Sequence, residues 1–142
     1  MLTVFTHKDK PFKNVRSIIE DKKGNIWLGA ADGCWRYDGS TFTNFTQNFI
    51  GYIYEARKGN IWTSSQRANE GRCLLSRCDE KSLTGKKPRV TAIMSKYEGN
   101  KPRIFGILEA NDESIWFGTM VYGLNRYEAN TITDFKSKAD QK

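Results

Sequence analysis

The sequence predicts an all-β chain of β-propeller blades: three four-stranded antiparallel sheets plus one extra N-terminal strand. Three observations predict it. First, a phrase recurs, as "EDKKGNIWLGA" at 20–30, "EARKGNIWTSS" at 55–65 and "EANDESIWFGT" at 109–119. Second, its register is tight, with Glu20 to Trp27, Glu55 to Trp62 and Glu109 to Trp116 each seven residues apart. Third, four short runs rich in Ile, Val, Phe, Tyr, Trp and Thr accompany each copy, and such side chains favour a pleated, half-buried surface. Four strands repeating every ~40–45 residues mark propeller blades. No segment sustains the apolar spacing of an amphipathic helix.

The elements follow in order. "LTVFT" at 2–6 is a leading copy of the fourth run, which returns as "FTNFT" at 42–46, "VTAIM" at 90–94 and "ITDFK" at 132–136. Judged from Leu2, Phe42, Val90 and Ile132, the copies lie 40, 48 and 42 residues apart. The blades then cover about 15–46, 50–94 and 104–136, in one partial propeller spanning 1–142. A lone four-stranded sheet leaves apolar faces open, and stacked blades cover them. The repeated Trp27, Trp62 and Trp116 are therefore expected as structural core between blades, each ring offering ~150–250 Å² of burial.

The turns have a mechanism. "KKGN" and "RKGN" put Gly-Asn where a short hairpin needs positive φ. The third copy, "NDES", has no glycine, so Asn111 or Asp112 is expected to take the turn in a different type. The repeated Glu20, Glu55 and Glu109 are expected to pair with the repeated Arg36, Arg77 and Arg126.

These residues carry a family resemblance. "VRSIIEDKKGNIWLGAADGCWRYDG" resembles the two-component regulator propeller repeat, which pairs an "ED..GN.W.GT" stretch with a following "GL.RYD" stretch. The second repeat departs, with Thr63-Ser64 in place of Gly-Thr and Cys78 at the position of Tyr37 and Tyr127. The resemblance implies a sensory propeller domain, usually extracytoplasmic, in hybrid sensor kinases and related regulators, often tied to carbohydrate sensing. It carries no catalytic signature.

Three blades span about half of a six-bladed circle, and their end faces would expose apolar sheet. Completion is expected either from a second copy, two chains making a six-bladed ring, or from remaining blades of a longer chain. Closed symmetric dimers are the commonest oligomers. No run of ~18 apolar residues occurs, so no membrane insertion is expected, and Leu2 opens directly into strand material rather than a signal peptide. Three cysteines match no zinc spacing. Cys34 aligns with Leu75 and Leu124 and reads as a core residue, while Cys73 and Cys78 would face opposite ways on one strand. That usage leans towards a reducing compartment, against the family's usual one. The location is periplasmic if the chain belongs to a family-type sensor, and cytoplasmic if it is complete as given.

The net charge of +7 draws attention to the loops. Links between blades share a face with the loops joining second to third strands. That face gathers Lys8, Lys10, Lys13, Arg67, Arg72, Lys96, Lys101 and Arg103, a candidate surface for an anionic glycan or an acidic partner. The opposite loop at 79–89 is also basic, through Lys81, Lys86, Lys87 and Arg89. Nucleic-acid binding is disfavoured, because the aromatics fall at strand positions that need burial, with Tyr52, Tyr97 and Tyr122 as exceptions. Two look-alikes are weaker. "GNIWTSS" is faintly similar to streptogramin lyases, whose chemistry needs a metal and a base, yet the only histidine is His7 and no carboxylate converges on it. The Asp-box of sialidases is a structural turn, and the equivalence of the three glutamates argues against paired catalytic carboxylates. A non-enzymatic module with no cofactor, no metal and no catalytic residue is the expectation.

Overall fold

A computed structural model describes residues 1–66, 73–83, 89–93, 104–119, 123–128 and 131–135. The described elements are strands and one short 3-10 turn, Glu80–Ser82. Strands β1 (Thr6–His7) and β2 (Lys10–Pro11) form a small ribbon. Strands β3 (Ser17–Glu20), β4 (Ile26–Ala30), β5 (Gly33–Tyr37) and β6 (Phe42–Thr46) form blade 1. Blade 2 holds β7 (Phe49–Glu55), β8 (Ile61–Gln66), β9 (Cys73–Cys78) and β10 (Val90–Ala92). Blade 3 holds β11 (Ile104–Glu109), β12 (Ile115–Thr119), β13 (Gly123–Glu128) and β14 (Thr131–Phe135). Within each blade the strands pair antiparallel in chain order.

Period-two alternation decides which face each side chain takes. On the face of blade 1 towards blade 2 lie Trp27, Cys34, Ile19 and Phe45, and they meet Ile50, Ile53, Ile61, Cys78 and Leu83 in one core. Blade 2 repeats the arrangement. Its Trp62 and Leu75 meet Ile104, Ile107, Ile115 and Phe117 of blade 3 in a second core. The first junction is closed further by Gly29, where a Cβ would stand 2.7 Å from the Ile50 side chain. Across the same seam Ile53 donates its backbone N–H to the Ser17 hydroxyl at 3.0 Å.

The extra N-terminal strand is present, but as the short ribbon rather than over 2–6. His7-Lys8-Asp9-Lys10 makes its turn, with positive φ at Lys8 (51°) and Asp9 (64°), the pattern of a two-residue type I′ hairpin. Aromatic packing fixes its position. His7 lies 4.7 Å from Trp35, Phe12 4.9 Å from Phe42 and Phe5 5.6 Å from Tyr37, ring centre to centre. The ribbon so covers the outer half of the blade 1 face that points away from blade 2.

The turn after each inner strand is the same in all three blades, against expectation for the third. Gly24, Gly59 and Glu113 donate their backbone N–H to Asp21, Ala56 and Ala110 at 3.0, 2.8 and 3.0 Å. Their φ angles are 85°, 89° and 70°. The left-handed residue in blade 3 is therefore Glu113, at the glycine position, and not Asn111 or Asp112. The hairpin's closing geometry dictates the conformation, and the side chain endures it at a cost of about 1–2 kcal/mol. The Glu113–Lys58 pair (3.4 Å) is between exposed side chains and offsets little. Glu113→Gly should stabilise the chain by roughly 1 kcal/mol, seen as a later urea midpoint with unchanged slope. A lower midpoint would contradict the turn assignment.

Candidate functional site: the link face and the interblade clefts

The two ends of the blades differ in how their charges are used. On the link side, Lys13 accepts a hydrogen bond at its carbonyl from the Ala31 N–H at 2.9 Å, so the first link does run beside the loop between second and third strands. Lys8, Lys10 and Lys13 stand exposed there. Arg67, Arg72, Lys96, Lys101 and Arg103 lie outside the described residues, as do Lys86, Lys87, Tyr97 and Tyr122. Tyr52 packs against the second core.

Among the described residues, the opposite side carries a cleft at each junction. The first, of about 280 Å³, is lined by Lys22, Lys23, Arg36, Glu55, Arg57 and Glu80 among others. The second, also about 280 Å³, includes Lys58, Arg77, Glu109 and Glu113. Charges in these clefts are spent on joining blades. Glu55 accepts the Lys22 backbone N–H at 3.1 Å, and Lys22 Nζ reaches the Arg57 carbonyl. One blade on, Glu109 accepts the Arg57 backbone N–H at 3.0 Å and its Nε at 2.8 Å, and the same guanidinium reaches the Ala110 carbonyl. Lys23 Nζ bonds Glu80 at 3.0 Å. The repeated glutamate is thus an interblade latch, gripping the turn of the blade before it.

This corrects the expected pairing of Glu20, Glu55 and Glu109 with Arg36, Arg77 and Arg126. Register explains why. Each arginine sits directly across from the tryptophan of its own blade: Arg36 from Trp27, Arg77 from Trp62, Arg126 from Trp116. The guanidinium carbons lie 5.7, 5.8 and 5.7 Å from those ring centres, within cation–π range. Arg36 also donates to the Leu83 carbonyl at 2.8 Å, and Arg77 pairs with Asp79 at 3.2 Å.

The tryptophan N–H is anchored locally in two blades. Trp27 Nε1 donates to Asp21 at 2.9 Å. Trp116 Nε1 donates to the Ser114 hydroxyl at 2.9 Å, which in turn donates to Asp112 at 2.5 Å. Burial pushes the Asp21 pKa up, but the bonds from Trp27, Asn25 and Lys23 outweigh it and hold the carboxyl below the usual aspartate range. Among the described residues no cluster of His, Cys, Asp or Glu could hold a metal ion. The His7 ring packs at a tilt against Trp35. No helix of the described residues is long and apolar enough to cross a membrane.

The latch was not read from the sequence. Its signal was weak, an acidic residue ending each inner strand, and its donor is a backbone N–H one repeat earlier. Truncating Glu109, whose side chain is largely buried, should cost about 1–3 kcal/mol by leaving the Arg57 donors unsatisfied. Glu109→Gln, which keeps an acceptor, should lose less than Glu109→Ala in chemical denaturation. Equal losses would remove the hydrogen-bonding role.

Residues 9–32 match the two component regulator propeller family. None of the curated proteins matches the chain by sequence. In fold the chain is similar to the extracellular domain of the hybrid two component system BT4673 from B. thetaiotaomicron. Identity is 15% and the TM-score 0.34, with 85% of this chain and 23% of that chain covered. A second structure, described as the extracellular domain of the one component system BT4673 from B. thetaiotaomicron, gives 16% and 0.32 with the same coverage. The chain thus spans 23% of the length of those structures.

Proposed function

We infer, from a chain that carries a two component regulator propeller repeat, that it serves as a non-enzymatic recognition segment of a sensory propeller. The observation that carries this reading is how the basic residues beside the blade junctions are used, although Lys81 and Arg89 are exposed on the cleft side as well. On the cleft side Lys22, Lys23, Arg57 and Lys58 are committed to neighbouring blades. On the link side Lys8, Lys10 and Lys13 point into solvent. An exposed basic surface on a rigid stack of blades suits an anionic glycan or an acidic protein partner. The glycan is the preferred ligand, as the family resemblance of the repeat implies.

The buried thiols fit an extracytoplasmic setting. Burial pushes Cys34 far above the usual thiol range, with Cys78 adding to it, and pushes Cys78 up to about 11. The thiolate is the reactive form, so burial disfavours reaction at both. A second reading, a structural segment within a larger ring, is favoured by the uncovered end faces of blades 1 and 3. In either reading the ring is completed by a second copy or by further blades.

The test is titration with a uronic-acid oligosaccharide and with a neutral oligosaccharide of equal length. The acidic ligand should bind, more weakly as salt rises. Changing Lys8, Arg67 and Arg103 together to alanine should weaken it by roughly tenfold or more while leaving the melting curve in place. Equal affinity for the two ligands, or an unchanged affinity in the triple variant, would leave only the structural reading.

A further inference from the structure

The outer faces of blades 1 and 3 hold the same residues that, one repeat along, make the internal junctions. On blade 1, Ile18 occupies the register place of Ile53 and Ile107. Ile18 is 65% exposed, where Ile53 and Ile107 are 2% and 4%. Glu20, the counterpart of the latches Glu55 and Glu109, is exposed on that same strand. Blade 3 shows the complement. Leu108, at the place of Ile19 and Tyr54, is 59% exposed, and Leu124, at the place of Cys34 and Leu75, is 44% exposed where those are 2% and 0%. Trp116 is only partly buried there. Asn111 stands where Lys22 and Arg57 offer their backbone N–H to a latch.

One face therefore presents an acceptor and an aliphatic knob, and the other presents the donor turn and the exposed Leu108 and Leu124. The ribbon covers only the outer half of the first face, leaving Ile18 and Glu20 open. We propose that a second copy of this chain docks head to tail on these faces, Glu20 of each chain latching the Asn111 turn of the other, to close a ring of six blades. This rests on the ring reading above and adds the contacts and their polarity. Every group the junction needs belongs to this chain, which is why a second copy is the occupant.

Polarity gives the proposal its test. Glu20→Lys spoils only the blade 1 face and Leu108→Asp only the blade 3 face. Both positions are exposed, so each variant should fold, as checked by circular dichroism; Ile18→Asp and Leu124→Asp form a second pair. Light scattering during size exclusion of the unmodified chain should give twice 16.3 kDa. Each variant alone should run as a monomer, since its one good face finds only a spoiled one. Mixed, the two variants should form a heterodimer through the remaining good pair. A monomeric unmodified chain at every concentration would overturn this proposal and leave the ring to be completed by further blades. A dimeric unmodified chain whose variants also dimerise alone, or fail to pair when mixed, would overturn the head-to-tail contact and leave a ring open to other completion.

Discussion

Replacing Trp27 by alanine should lower the stability of the fold by about 3–5 kcal/mol, the range for truncating a large buried aromatic. Trp27 is fully buried at the first junction. It stacks on Phe45 with ring centres 5.0 Å apart, lies under Arg36, and is tied to Asp21 through its N–H. Alanine removes the filler of the core shared by blades 1 and 2 and leaves the guanidinium without its platform. A fall of about 10–20 °C in melting temperature is the expected reading. Trp116→Ala, at the partly buried copy, should cost distinctly less when measured on dilute chain. Equal losses at the two positions would mean that burial between blades is not what the tryptophan supplies.

The second large effect is at Gly33. Its φ of 132° lies where side chains are rarely found, and a Cβ there would stand 1.9 Å from the Thr46 carbonyl oxygen and 2.9 Å from Asn44 Nδ2. The obstacle is backbone of the neighbouring strand, so no rotamer relieves it. Asn44 adds to the constraint by donating to the Thr46 carbonyl at 3.0 Å. Gly33→Ala should therefore cost roughly 3 kcal/mol or more, from strain and from displaced pairing between β5 and β6. Gly24→Ala makes the control: its φ is also positive, yet nothing stands within 4 Å of the added carbon. If both variants melt together, the clash at Thr46 is absorbed and strain alone accounts for the loss.

How much of this was legible depends on whether a feature is local to one repeat. The four strands, the blade count and the glycine turns follow from runs and punctuation inside each copy. The Trp–Arg stack was within reach too: a two-residue turn at Ala31-Asp32 sets Trp27 opposite Arg36 by counting alone. The latch was not, because its acceptor and donor lie in different repeats and its donor is a main-chain group that every residue but proline has. Glu113 misled for a related reason. Residue preference spoke for Asn111 or Asp112, while the antiparallel register of β11 and β12 decided the conformation. The leading "LTVFT" copied a fourth strand in sequence, but its Phe5 found Tyr37 and Phe42 instead of a sheet edge. As for the basic link face, the structure describes Lys8, Lys10 and Lys13 and leaves the other five positions outside the described residues.

The offset of each latch by one repeat has a consequence for dynamics. Every blade is held by its neighbours, so stability is shared as nearest-neighbour couplings, as in other repeat arrays. In a single chain, blade 2 is coupled on both faces, while blades 1 and 3 are each coupled on one. Local opening should then start at the outer blades and reach β7 last, since that strand packs against both cores. Amide hydrogens of Ile53 and its neighbours should be the slowest to exchange. A ring of n blades has n couplings where an open row has one fewer, so closure would even out this gradient and make exchange uniform from blade to blade.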